Sequence, residues 1–367
     1  MVSPLSARVA ELIEAVDRIG IKNVAALSRM TGMPKETIRY TLRKRFPELD
    51  LRVETVFNLG ELGLQRYSAT LEFAPDALRQ ADSILDRLSN VAFLTYRSRM
   101  LLEPAHTALF SVPVVVEDQF QAFMKGLVDE GILRSAELKR LEWTRNPDLK
   151  ARYYDFDQGQ WTIDWNEVGE LHEAPPSPVV VDQPHLKPSI DLSDVLLIKE
   201  LEAGSLRSLK SISTKLKMNA VTLRWHYRKH VMPITSYHRV RWIPARGGDQ
   251  SKVVGVIFWF SQLTRTQLAK VRLLFNNVPF AWFEAGSRDG SYRADLAIPT
   301  QEFVLALEFL RDRLGEMSLP EWKTQLLDLP SSMRYTIPYE HFTDEEGWAF
   351  EPEKALSTIL SAVKQQG

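Results

Sequence analysis

The chain has 367 residues, of which 44% are hydrophobic and 25% charged, and it contains no cysteine. A chain of this length is too long to fold around one ordinary hydrophobic core, so two or more domains are predicted. The composition is typical of a folded soluble protein. The absence of cysteine excludes disulfides, cysteine-ligated zinc or iron–sulfur sites, and thiol catalysis. No signal-peptide run is present and no segment reaches about 18 apolar residues, so we expect a cytoplasmic protein without membrane contact.

Residues 1–60 show the pattern of three helices followed by a strand. Apolar residues recur at helical spacing in the first two predicted helices, and Gly32 permits a tight turn after the second. Pro34 suits the first turn of a third helix, in which Ile38 points inward and basic side chains point outward. With the strand-like segment 51–57, this pattern predicts a winged helix-turn-helix.

Residues 61–170 change period and predict the order β-α-β-β-α-β, which is typical of a ferredoxin-like domain. Residues 171–190 contain five prolines and predict an extended, fairly stiff linker.

The same order is predicted again in the second half of the chain, with a winged helix-turn-helix over 191–245 and a ferredoxin-like domain over 246–367. Asp289-Gly290 lies where the hairpin turn of the second ferredoxin-like domain is expected. The predicted fold class is therefore α+β, with two copies of a winged helix-turn-helix followed by a ferredoxin-like βαββαβ domain.

A comparison of the chain with itself supports a tandem repeat. When the chain is shifted by 185 residues, Thr37 meets Thr222, Arg39 meets Arg224 and Lys44 meets Lys229. The window 22–45 carries seven basic residues against one acid, and the window 207–230 carries seven basic residues and no acid. Because local positive fields guide proteins to phosphates, a net charge of −1 for the whole chain does not exclude nucleic-acid binding.

The helix-turn-helix windows VAALSRMTGMPKETIRYTLRKRF and DLSDVLLIKELEAGSLRSLKSISTKLKMNAVTLRWHYRKHV, each followed by a ferredoxin-like pattern, carry a family resemblance. The chain resembles the Lrp/AsnC-type transcription regulators of bacteria and archaea. The resemblance implies a double-stranded DNA-binding regulator associated with the nucleoid. In the family two subunits pair, so a tandem-duplicated chain would act as a single-chain pseudo-dimer.

The resemblance and the outward helix faces together predict the residues that contact DNA. In the first copy these are Lys35, Thr37, Arg39, Tyr40, Arg43, Lys44 and Arg45. In the second copy they are Lys217, Thr222, Arg224, Trp225, His226, Arg228 and Lys229. Arginine can contact guanine with two hydrogen bonds, whereas Lys44, Arg45 and Lys229 are expected on phosphates. Since the two faces differ, two unlike half-sites are predicted.

Other functions remain open at this point. A nucleoid-architectural or initiation-type factor would use the same basic helices, and a protein-interaction scaffold would use the acidic remainder. The open faces of the two sheets are expected to pair, either within the chain or in a homodimer, and the sequence identifies no small-molecule effector. The chain shows no phosphate loop, nucleophile elbow or zinc-protease motif, so we expect neither an enzyme nor a cofactor. His226 and His230 have the spacing of a metal pair, but simple exposure or phosphate contact is the favoured interpretation.

Overall fold

The structure is a computed structural model that describes residues 4–21, 23–170, 179, 181, 183–241 and 252–366. Half of the predicted linker 171–190 therefore lies outside the described residues, at 171–178, 180 and 182. No helix in the described part of the chain is long and apolar enough to cross a membrane.

The first helical unit is built from three main helices and a strand. Its elements are α1 Pro4–Ile19, α2 Val24–Thr31, α3 Lys35–Tyr40, a π-helical turn Thr41–Arg45, α4 Phe46–Glu48 and β1 Arg52–Phe57. Leu12, Ile13, Ile38 and Phe46 are fully buried in its core. The predicted inward face of the third helix is therefore confirmed.

The first sheet domain follows in the predicted βαββαβ order. Its elements are β2 Leu64–Phe73, α5 Pro75–Leu78, α6 Ala81–Val91, β3 Leu94–Met100, β4 Ala105–Pro113, α7 Glu117–Asp129, β5 Leu133–Leu141 and β6 Trp143–Arg145. A small hairpin and a helix complete this half: β7 Tyr154–Asp155, β8 Gln160–Trp161 and α8 Trp165–Glu170.

The second half repeats this order of elements. Its helical unit consists of α9 Leu192–Ala203, α10 Leu209–Leu216, α11 Ala220–His226, a π-helical turn Tyr227–Val231 and β9 Thr235–Arg241. Its sheet domain consists of β10 Val253–Phe260, α12 Arg265–Asn277, β11 Ala281–Gly286, β12 Tyr292–Pro299, α13 Phe303–Gly315 and β13 Trp322–Arg334. The half ends with β14 Phe342–Thr343, β15 Gly347–Trp348 and α14 Pro352–Gln366. The last long strand, which the sequence pattern places at Met333–Tyr339, begins earlier, at Trp322.

The two sheet domains share one antiparallel sheet of nine strands in the order β5-β2-β4-β3-β13-β10-β12-β11-β6. β13 joins the domains on one side, where Leu327 pairs with Met100, and β6 joins them on the other, where Arg145 pairs with Glu284. β5 and β6 are the first and last strands in this order, yet they are consecutive in the chain, with only Glu142 between them. This α+β architecture with a large antiparallel sheet is consistent with an Lrp/AsnC-like fold.

The strands that follow the two helical units pair with each other. β1 and β9 form a two-stranded antiparallel ribbon in which Glu54 faces Arg239. The sequence predicts both strands, with the end of the second predicted segment (Tyr237–Ile243) outside the described residues, but it does not predict this pairing. The predicted wings therefore form one ribbon shared by both units.

Each half also covers the core of the other with its last helix. In α14, Ala355 and Ile359 pack into the core of the first sheet domain, whereas Val168 of α8 packs into the core of the second. Trp161 and Trp348 are both buried, and the indole of Trp348 donates a hydrogen bond to the carbonyl of Leu62 at 2.7 Å. Both tryptophans therefore pack inside the protein.

Candidate functional site

Most of the predicted DNA-contact residues lie on two exposed helix faces. The exposed members are Lys35, Thr37, Arg39, Tyr40, Arg43, Lys44, Lys217, Thr222, Arg224, Trp225, Arg228 and Lys229. Tyr40 is 58% exposed and Trp225 is 52% exposed, so both aromatic rings are available to a partner. The two faces therefore combine positive charge with an exposed aromatic ring.

Two members of the predicted set are not fully exposed. Arg45 is half-buried and pairs with Glu48 at 3.1 Å. His226 is only 7% exposed, so the expectation that it projects outward is wrong. It lies three positions after the buried Leu223 and thus on the inner helix face. Its Nδ1 lies 2.9 Å from a carboxylate oxygen of Asp194.

Similar caps and turns begin and end the second helix in both units. The side chain of Asn23 accepts the Ala26 amide at 3.0 Å, and the side chain of Ser208 accepts the Ser211 amide at 3.1 Å. These bonds satisfy amide groups that would otherwise lack partners at the start of each second helix. Each second helix ends at a residue in the left-handed region, Gly32 with φ 65° and Lys217 with φ 53°.

A cavity of about 560 Å³ lies where the ribbon, the first helical unit and the shared sheet meet. Its polar lining includes Asp17, Arg66, Arg145, Asn146 and Tyr237. The Tyr237 hydroxyl accepts the Asn146 amide at 3.0 Å and donates to the Asn146 side-chain oxygen at 3.3 Å. Arg66 and Arg145 both line this cavity, which suits a ligand that carries carboxylates, because arginine binds carboxylates with two parallel hydrogen bonds.

Asp17 gives this cavity a carboxyl group that holds its proton near neutral pH. Burial is the largest cause that raises the pKa of Asp17 to about 8, and the nearby Asp148 raises it further. The Val240 amide donates to one Asp17 oxygen at 2.6 Å, while the other oxygen is buried and has no hydrogen-bond partner among the described residues. A protonated carboxyl at a cavity wall can donate a proton.

A second cavity of about 60 Å³ shares Leu59, Arg66 and Asn146 with the first. It is also lined by Glu202, whose pKa is raised by burial and whose side chain accepts the Ile337 amide at 2.9 Å. Asp17 and Glu202 are 185 residues apart, so they occupy corresponding positions in the two helical units. Both units therefore place a partly buried acid next to a cavity.

Glu54 is the ionised acid of this region. Its carboxylate lies 2.7 Å from Arg239, 3.2 Å from Arg241 and 2.7 Å from Arg334. Although burial opposes ionisation, the arginines hold the pKa of Glu54 far below its ordinary value. This cluster connects both strands of the ribbon to β13 of the shared sheet.

The sequence patterns single out neither cavity. The lining residues come from α1, β1, β2, β6, β9 and the segments between them, so no local motif unites them. One signal was present in the sequence, because the repeat aligns Asp17 with Glu202 and Glu54 with Arg239. Charged residues at matching positions within predicted helices and strands indicate buried ion pairs or acids.

No protein-family model and no curated protein that was compared with the chain matches it. Its structure is similar to the crystal structure of the siroheme decarboxylase NirDL, with a TM-score of 0.57 and 8% sequence identity over 97% of this chain and 99% of that chain. The crystal structure of the same enzyme in co-complex with an iron-uroporphyrin III analogue is similar to the same degree.

This similarity corrects the expectation that the protein is not an enzyme. The solved structures that match nearly the whole chain are those of an enzyme, whereas the absence of catalytic motifs had favoured a regulator. A fold can host both activities, so the shared architecture alone does not decide between them. Catalytic motifs are local in sequence, so they do not mark a cavity whose lining residues are dispersed over five elements.

Proposed function

We propose that the protein is a decarboxylase that acts on a carboxylate-bearing tetrapyrrole in the 560 Å³ cavity. The observation that carries this proposal is the meeting of Arg66, Arg145 and the high-pKa Asp17 at one cavity. The whole-chain similarity to a siroheme decarboxylase supports the choice of reaction and substrate class. The cavity volume lies within the range of about 300–1,000 Å³ that is usual for small-molecule sites.

The cavity residues have separate roles in this reaction. Arg66 and Arg145 bind substrate carboxylates, and Asp17 supplies a proton. In the step itself, the bond between a side-chain carbon and its carboxylate breaks and CO2 leaves. The electron pair stays on the carbon, which takes the proton, so the reaction needs no oxidant or reductant.

Binding of iron-uroporphyrin III, followed by its absorption spectrum, tests the site. We expect saturable binding by the full chain that Arg66→Ala and Arg145→Ala each weaken about tenfold, because each loses a charged hydrogen-bond donor. Arg311→Ala is the matched control, since Arg311 is 69% exposed, pairs with the neighbouring Asp312 and is not among the residues that line this cavity. Equal affinities of the Arg66→Ala and Arg311→Ala variants would place the ligand elsewhere.

The role of Asp17 requires a measurement of turnover rather than binding. Asp17→Asn keeps the shape of the side chain but cannot donate an acidic proton. We therefore expect the variant to bind iron-uroporphyrin III like the wild type and to release CO2 from a siroheme-type substrate at least a hundredfold more slowly. Unchanged turnover would remove Asp17 from the mechanism.

The exposed basic helix faces favour a second candidate function, which is binding to duplex DNA as a single-chain pseudo-dimer built by tandem duplication. Lys35, Arg39 and Arg43 on one face and Arg224 and Arg228 on the other are exposed. The distribution of the protein over genomic DNA distinguishes two roles that duplex binding could serve. A few sharp sites with a shared sequence indicate a transcription regulator, whereas broad coverage indicates a nucleoid-architectural role.

A further inference from the structure

A cluster of two histidines and two aspartates lies inside the second helical unit, and none of its members lines the 560 Å³ cavity. Asp191 and Asp194 are at the start of α9, and His226 and His230 are at the end of α11 and in the π-helical turn after it. One ligand atom from each of the four residues lies within 4.8 Å of all the others. We propose that this cluster binds a divalent transition-metal ion, with Zn²⁺ as the preferred ion.

The orientation of the two imidazoles supports the assignment. The Nδ1 of His226 lies 2.9 Å from one oxygen of Asp194, and the Nδ1 of His230 lies 2.7 Å from the other. The His226 Nδ1 is also 3.6 Å from an oxygen of Asp191. In a tetrahedral zinc site with bonds of about 2.0–2.1 Å, ligand atoms are separated by roughly 3.3 Å, so small movements would create the site.

The aspartates are held in place by the backbone. The amide of Asp194 donates to Asp191 at 2.9 Å, and the amide of Asp191 donates to Asp194 at 3.1 Å. This reciprocal capping of α9 fixes both carboxylates without using all of their oxygen lone pairs. The Asp194 side chain has no solvent exposure, whereas that of Asp191 is 41% exposed, which leaves an entry path from one side.

Packing of the helices does not require these polar residues. At the positions 185 residues earlier, the first unit has Ser6, Val9, Thr41 and Arg45. Val9 and Thr41 are buried there, so the first unit fills two of the corresponding positions without an acid–histidine set. Two imidazole nitrogens with carboxylate oxygens are a ligand set that suits zinc, and cysteine thiolates are absent from the chain.

Metal binding would join α9 to α11. The ring of Trp225, which is half exposed, makes edge-to-face contacts with His226 and His230 at centroid distances of 5.0 and 4.8 Å. An ion in the cluster therefore fixes the helix face that carries Trp225 and Arg224, and Trp225 serves as a nearby optical reporter. This inference does not depend on the proposed decarboxylase function.

The test is a titration of the metal-free full chain with Zn²⁺, by calorimetry and by competition with a coloured chelator. We expect one ion per chain, a higher midpoint of thermal unfolding with Zn²⁺, and weaker binding as the pH falls, because protons compete for the imidazoles. His230→Ala, which removes one imidazole at a half-buried position, and Asp194→Asn, which preserves the capping shape, should each lower the affinity at least tenfold.

His185→Ala is the matched control, because the His185 side chain is 57% exposed and pairs with Glu61 outside the cluster. Circular dichroism without metal shows that each variant is folded. The proposal is overturned if the wild type binds no Zn²⁺, or if folded His230→Ala and Asp194→Asn variants bind it as tightly as His185→Ala. Co²⁺ quenching of fluorescence that disappears in Trp225→Phe would add support.

Discussion

The two helical units have the same order of main helices but differ in chemistry at corresponding buried positions of their first and third helical segments. In the first unit these positions hold Val9, which is 3% exposed, and the buried Thr41. In the second unit they hold Asp194, whose side chain has no exposure, and His226. An acid–histidine pair therefore occupies positions that the first unit fills with valine and threonine, which shows that this order of helices can form without the pair.

A second pair of corresponding positions is similar in the two units. Asp17 and Glu202 lie near the ends of the first helices, and burial raises the pKa of each. Each accepts an amide from a distant segment, Val240 in one case and Ile337 in the other. The two units thus share an acid beside each cavity. They differ in the residues at the corresponding buried positions of their first and third helical segments.

The largest expected effect is in the polar contact of the second unit. Asp194→Ala should lower the free energy of unfolding by about 3–5 kcal/mol, because it leaves two partly buried imidazoles without their acceptor. Val9→Ala in the first unit should cost only about 1–2 kcal/mol, since it removes methyl groups from a core. Urea unfolding measures the loss of stability in both variants. Equal losses would contradict the claim that the two units differ at these positions in how much the side chain contributes.

A double variant sharpens the same comparison. Asp194→Val with His226→Thr gives the second unit the residues of the first. Because apolar replacement of a whole buried polar pair is often neutral, the double variant should be more stable than Asp194→Val alone. Purely additive losses would mean that the acid and the histidine do not act as a pair.

The next effect concerns the ribbon that joins the two units. Glu54→Gln should destabilise the protein by about 3 kcal/mol, because Arg239 and Arg334 lose a charged partner. Since the folded pKa of Glu54 is depressed, its contribution is present above the ordinary glutamate pKa and is lost as the pH falls through the folded value. The wild type should therefore lose stability in acid more steeply than Glu54→Gln, and Glu61→Gln is the exposed control.

A smaller effect with the opposite sign is expected at Asp17. Its pKa is raised from an ordinary 3.8 to about 8, so the wild type should lose stability as the pH rises between these values. Asp17→Asn removes this cost and should be about 2–4 kcal/mol more stable than the wild type at pH 9, with little difference at pH 4. Glu202→Gln should change stability in the same direction. Denaturation at a series of pH values measures the stability of the wild type and of Asp17→Asn. A stability difference that stays constant from pH 4 to pH 9 would contradict the prediction.

The smallest effects are expected on duplex DNA. Arg39→Ala and Arg224→Ala should each reduce the slope of log affinity against log salt by about 0.9 if each arginine neutralises one phosphate. Because Tyr40 and Trp225 differ, the two variants should respond differently to changes in one half of the bound sequence. A salt-independent affinity would remove DNA from the candidate functions.

Helical periodicity predicted the inward face of α3, on which Ile38 is buried. Strand alternation is less informative, because a strand such as β4 is buried along its whole length. The ribbon between β1 and β9 was not predictable, since Glu54 and Arg239 meet through a pairing between distant segments. His226 was misplaced because its neighbours on the helix are basic and exposed. The cavity was missed because its arginines and Asp17 come together only when both halves share one sheet.

The central claim is tested most directly by incubating the purified full chain with siroheme under anaerobic conditions and analysing the tetrapyrrole by mass spectrometry. The proposed function predicts loss of CO2 from the substrate by the wild type, and much slower loss by Asp17→Asn. A tetrapyrrole of unchanged mass after incubation with saturating wild-type protein would contradict the decarboxylase assignment.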